Sequence, residues 1–173
     1  AKLFVSSECD DADLFVVVRA FGPDGGEHTF RGAIDPHTPV AQGWLRASHR
    51  KLDTAKSTPA RPWHPHTEVE PLTPGEIYEL DVEIWPTSLV LPAGHRLAVT
   101  IQGHDYERAG DDVNRLSNFK NDLRGSGPFL HDDPADRPQS AGSPAPGPRT
   151  AARIALHTGP EHPSNVLLPV IPR

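Results

Sequence analysis

The chain has 173 residues, a formal net charge of −6, a pI near 5.9, 20 prolines, 14 glycines and one cysteine. That length suits a single domain spanning 1–173, one able to bury roughly 70% of its extended-chain surface. The acidic balance argues against a nucleic-acid or anionic-membrane partner, no apolar run approaches the roughly 20 residues that span a bilayer, and a lone Cys9 excludes an intrachain disulfide framework and a cysteine-built zinc site.

Lys2–Ser7 (KLFVSS) reads as a first strand, and Ser6–Asp13 (SSECDDAD) as a polar, acidic turn. Asp13–Phe21 (DLFVVVRAF) is apolar on both faces through Val16, Val17 and Val18, as in the middle of a sheet. Gly22-Pro23-Asp24-Gly25-Gly26 is a turn by composition and predicts a hairpin into Glu27–Ala33. Gln42–Arg50 (QGWLRASHR) is the next strand, with Trp44 read as a core or inter-sheet anchor. Residues 51–75 carry Pro59, Pro62, Pro65, Pro71 and Pro74, which exclude a ladder; order is expected only where Trp63 and Leu72 dock the segment.

The stretch Glu76–Gly103 organises the rest. Leu80, Val82 and Ile84 alternate with Glu79, Asp81 and Glu83, and a side-chain period of two places the aliphatics on one face of a strand. Pro86, Pro92 and Gly94 interrupt the ladder, after which Leu97, Val99 and Ile101 alternate again. The two runs are expected to pair antiparallel at the heart of the domain. Val16, Val18, Leu80, Val82, Ile84, Leu97, Val99 and Ile101 are expected to form the inter-sheet core. Gly103–Asn121 has no period and reads as loop, Gln139–Thr150 (QSAGSPAPGPRT) as a flexible linker at 139–150, and Ala152–His157 and Ser164–Ile171 as closing strands around the turn Thr158–Pro163. About eight short strands without a confident helix point to an all-β, jelly-roll β-sandwich.

Signs of chemistry are sparse. Gly125-Ser126-Gly127 lacks the spacing and the strand–helix context of a nucleophile elbow, and no glycine-rich loop precedes a helix. His64 and His66 stand beside prolines without a third ligand and read as solvent-facing imidazoles. Asp10, Asp11 and Asp13 offer oxygens to calcium, but the loop is short and a turn is the better reading. His131-Asp132-Asp133, within Gly127–Pro138 (GPFLHDDPADRP), could orient a base or hold a divalent ion. The stronger reading is a cleft-facing or interdomain loop in which Phe129, Leu130, His131 and Asp132 meet a neighbouring domain. No catalytic residue, metal ligand or cofactor site is assigned.

The runs LFVSSECDDADLFVVVRAFGPDG, GWLRASHRKLD, PLTPGEIYELDVEIWPTSLVLPAGHRLAVTIQG and LHTGPEHPSNVLLPVIP resemble the C-terminal non-catalytic domain of X-Pro dipeptidyl-peptidase-like serine hydrolases, the family that includes cocaine esterase and the α-amino-acid ester hydrolases. The resemblance covers nearly the whole chain outside 139–150. It implies a jelly-roll, galactose-binding-domain-like sandwich, in agreement with the strand reading. It also implies a parent whose serine, aspartate and histidine lie in a preceding α/β-hydrolase domain, on which this domain packs, helping to shape the substrate cleft and oligomer contacts. The chain alone is then expected to be inactive, with an esterase- or dipeptidyl-peptidase-type parent, no cofactor, and a cytoplasmic location. Two departures stand out: sequence that would supply a strand before KLFVS is missing, which would leave a neighbouring strand edge unpaired, and GPFLHDDPADRP with its linker looks like an insertion. The alternative is a free-standing carbohydrate-binding module, with Trp63 as its surface aromatic.

Overall fold

The structure is a computed structural model that describes residues 1–31, 37–107 and 153–171. Among these, alternating sequence gives seven strands: β1 (Lys2–Ser7), β2 (Asp13–Phe21), β3 (Glu27–His28), β4 (Ala41–Arg46), β5 (Tyr78–Asp81), β6 (Arg96–Gln102) and β7 (Ile154–His157). A single 3-10 turn, Ala47–His49, is the only helical element in the described residues. Strands β1 and β2 have the bounds that alternation and the acidic turn predict. The architecture is all-β, consistent with a sandwich, and the pairs β1–β5, β1–β7, β2–β3 and β2–β6 are antiparallel. The described residues divide into two compact units, one drawn from Ala1–Leu14, Trp44–Glu83 and the C-terminal residues, the other from Phe15–Gly43 and the residues from Ile84 to 107.

In the first unit the sheet order is β5-β1-β7. The register sets Leu3 opposite Leu80 and Val5 opposite Leu156, and Leu3, Val5, Leu80 and Val82 are buried. On the other face Lys2 lies opposite Asp81 and its ammonium pairs with Glu79 and, at 3.4 Å, with Asp81. Glu79 and Asp81 thus face away from the aliphatics and share a cation, as the period of two allows.

The second unit holds the central strand β2, bonded to β3, β4 and β6. Its residues Val16, Val17, Val18 and Ala20 are buried on both faces, which explains the continuous apolar run. Val40, Ala41 and the partly buried Ile84 pack against Val18 and Ala20.

Several expectations need correction. The runs around Leu80 and Leu97 do not pair: β5 joins β1 and β6 joins β2. Ile84 already packs on Val18 and Ala20, and the Trp85 amide donates to the Gln42 carbonyl at 3.0 Å, so the intervening segment is a crossing rather than a hairpin loop. The expected core does not extend to β6, where Ile101 is only half-buried. Val99 and Leu97 stand opposite the buried Val18 and Ala20, yet remain 38% and 39% exposed. The covering residues Val40, Ala41 and Ile84 lie over β2, and in the described residues β6 pairs with β2 alone.

Trp44 is not a core anchor. In β4 the buried positions are Ala41, Gly43 and Leu45, so the same period of two turns Trp44 outward with Gln42 and Arg46. The strand expected over Gln42–Arg50 ends at Arg46 in the 3-10 turn, and the hairpin arm after the Gly22–Gly26 turn shortens to β3 plus a bridge from Phe30 to Thr38. Ser164–Ile171 forms no strand; only Asn165 bridges to Lys2, and Pro163 and Pro169 withhold the amides a longer ladder needs. In the excursion 51–75, Leu72 is buried as expected but Trp63 is 41% exposed. Backbone bonds hold the segment instead, from Glu70 to Ser48 (2.8 Å), Leu72 to Asp10 (2.7 Å) and Gly75 to Ser7 (2.8 Å). The linker at 139–150 lies outside the described residues.

Candidate functional site

The acidic turn between β1 and β2 is built around its own polar groups. Ser7 Oγ donates to the Asp11 carbonyl at 2.9 Å and accepts the Cys9 amide at 3.1 Å, while the buried Cys9 thiol points at the same carbonyl from 2.9 Å. The Asp11 carboxylate accepts the Ser48 amide at 2.8 Å, the Ser48 hydroxyl at 2.7 Å and the Ala12 amide at 2.9 Å. Asp13 takes Arg46 in a bidentate pair at 2.8 and 3.0 Å. These oxygens serve protein donors, which is the turn reading rather than the calcium reading. The turn's work is to tie β1, the 3-10 turn and the excursion together, and the Leu72 amide on the Asp10 carbonyl completes the tie.

The imidazoles of the excursion are less idle than the sequence implies. His64 sets Nε2 at 2.8 Å from the Asp81 carbonyl and Nδ1 at 3.2 Å from the Lys51 carbonyl, pinning the excursion beside β5. His66 remains exposed, as expected, but adopts a left-handed backbone with φ of 52° and lies 5.4 Å from the His49 ring and 5.8 Å from the His64 ring. Slight desolvation where the ring meets its neighbours, and then the nearby His64 and His49, hold the His66 pKa below the ordinary histidine value. Adjacent carboxylates are committed elsewhere, Glu68 to Lys51 at 2.5 Å and Glu70 to Arg50 at 3.6 Å. Among the described residues no group of three histidines, cysteines or carboxylates is placed to hold a metal ion.

Phe129, Leu130, His131 and Asp132 lie outside the described residues. All three tryptophans are exposed, Trp44 and Trp63 at 41% each and Trp85 at 56%. Trp63 has Lys56 and Arg61 over its ring at 5.6 and 5.8 Å.

The sequence reading passed over the segment that follows Ile84. Trp85, Leu89, Val90 and Leu91 are exposed there, and the chain then enters β6 with its exposed Leu97 and Val99. From Trp85 to Gly94 (WPTSLVLPAG) there is no charged side chain, although 23% of the protein is charged. That gap was legible in the sequence, but its prolines led to a reading as mere loop.

These features define an all-β module in which Asp11, Asp13 and His64 are engaged in structural ties and whose exposed surface includes an uncharged, aromatic and aliphatic stretch. The chain belongs to the family described as the X-Pro dipeptidyl-peptidase C-terminal non-catalytic domain, which it matches over residues 1–167. It is similar to a putative serine esterase of Mycobacterium tuberculosis, 33% identical over 108 residues that cover 60% of this chain and 15% of that protein. It is also similar to the cocaine esterase of a Rhodococcus species, 27% identical over 175 residues, covering 100% of this chain and 22% of that protein. Among solved structures, a CocE/NonD family hydrolase from Staphylococcus aureus superimposes with a TM-score of 0.61 at 32% identity, covering 75% of this chain and 23% of that one. The chain therefore spans less than a quarter of each of these relatives. It corresponds to the C-terminal non-catalytic domain of CocE/NonD-type hydrolases. No helix among the described residues is long and apolar enough to cross a membrane.

Proposed function

We propose that this chain is the accessory domain of a serine hydrolase of the esterase or X-Pro dipeptidyl-peptidase type, inert alone. In this reading it packs on the α/β-hydrolase catalytic domain of the same parent, helps to shape the substrate cleft and takes part in oligomer contacts. The observation that carries the reading is the superposition on 23% of a CocE/NonD hydrolase at 32% identity, since the rest of that chain is large enough to hold a separate catalytic domain. The acidic turn and the His64 pin support it, because both spend their polar groups on holding backbone in place. The loop with Phe129, Leu130, His131 and Asp132 belongs to this reading as a cleft-facing or interdomain element. A free-standing carbohydrate-binding module is less well supported: two cations already lie over the Trp63 ring, which leaves less of its face for a sugar.

An active-site serine probe tests the reading. A fluorophosphonate applied to the full-length parent, followed by peptide mapping, is expected to label one serine outside these 173 residues. A modified serine within them, such as Ser126, would overturn it.

A further inference from the structure

We propose that the uncharged stretch Trp85–Gly94, together with the exposed face of β6, is the surface on which the catalytic part of the parent chain docks. The inference rests on the accessory-domain reading and goes further by naming the residues of the contact. Trp85, Leu89, Val90 and Leu91 are 56%, 37%, 70% and 39% exposed, and Leu97 and Val99 extend the apolar character along β6. Scattered exposed aliphatics are ordinary on a protein surface, but a run of them is not. The absence of any charge over the ten residues Trp85–Gly94 is the composition of an interface core, where charged residues are depleted and aromatic ones enriched.

The backbone is also arranged for docking. Pro86 and Pro92 limit its freedom, the His95 amide closes a turn onto the Pro92 carbonyl at 3.2 Å, and Gly94 takes the positive φ of 83° that this turn needs. Trp85 is held at its start by the Gln42 carbonyl, and β6 continues the segment on the edge of β2. A segment already ordered before contact loses little conformational entropy on binding.

The occupant follows from the length of chain outside the structure. This domain covers 22% of the Rhodococcus cocaine esterase and 23% of the Staphylococcus aureus hydrolase, so more than three quarters of such a chain is available to cover it. A partner tethered in the same chain acts at high effective concentration, so an apolar patch of this modest size suffices.

Hydroxyl-radical footprinting of this chain alone and of the full-length parent reads the contact directly. Trp85, Leu89, Leu91 and Leu97 are expected to be modified several-fold more slowly in the parent, while the exposed Trp63 and Val69 react equally in both. Introducing Val90→Asp with Leu91→Asp into the parent is expected to restore fast modification of Trp85. Slower reaction at other residues of the domain, with Trp85 and Leu89–Leu91 unchanged, overturns the surface and leaves the accessory-domain reading standing. No protected residue anywhere in the domain overturns both. Protection in the isolated chain that is lost on dilution would assign the surface to a second copy instead.

Discussion

Val82→Asp is expected to lower the melting temperature of the chain by about 8–16 °C. Val82 has no exposed surface, and it follows directly on β5, whose sheet buries the aliphatics Leu3, Val5 and Leu80. A carboxylate at that position would be shut away from water on a face lined by aliphatics, and it lengthens a run that already carries Glu79, Asp81 and Glu83. A cost of about 4 kcal/mol is the scale for such a burial, and each kcal/mol moves the midpoint of a protein of this size by about 2–4 °C. Thermal unfolding followed by circular dichroism measures it. A variant that melts with the parent chain would contradict the register that sets Leu3 opposite Leu80.

The second large effect is a contrast between two leucines that the sequence pattern treats alike. Leu80→Ala is expected to cost about 2–5 kcal/mol, because Leu80 is fully buried opposite Leu3 and its removal leaves a cavity. Leu97→Ala is expected to cost about 1 kcal/mol or less, because Leu97 stays 39% exposed on β6 and little of it needs replacing. Urea unfolding of the isolated chain reports both as shifts of the midpoint at unchanged slope. Equal losses would mean that β6 is covered as fully as β5, against the observed exposure.

This contrast also shows what sequence patterning can and cannot decide. Alternation placed Leu80 and Val82 inward and Glu79 and Asp81 outward, and it delimited β1 and β2, because a period of two is a local property of the backbone. The choice of partner strand is not local. Nothing within Glu76–Gly103 says that β5 will pair with β1, more than seventy residues away by number, or that β6 will pair with β2. Adjacency in sequence suggested a hairpin, and the packing of Ile84 on Val18 and Ala20 defeats it.

The tryptophans carry the same lesson. A large aromatic inside a strand was assigned to the core on residue type, whereas the parity of β4, with Ala41, Gly43 and Leu45 inward, sends Trp44 to the surface. Parity was readable from the run AQGWLR, but small Ala41 and Gly43 carry a weak hydrophobic signal beside tryptophan. The turn chemistry is visible at Asp11, whose carboxylate accepts the Ala12 and Ser48 amides, as aspartates beside backbone amides readily do. The role of His64 was hidden because its ring nitrogens face main-chain carbonyls of Lys51 and Asp81, which no side-chain motif announces.

The most direct measurement is turnover of p-nitrophenyl acetate and Ala-Pro-p-nitroanilide by this chain alone, set beside the full-length parent under the same conditions. An accessory domain predicts no turnover by the chain above the rate of buffer, with turnover of at least one of the two substrates by the parent. Turnover by the isolated chain that disappears on His131→Ala would contradict the account and make the His131–Asp132 loop a catalytic site.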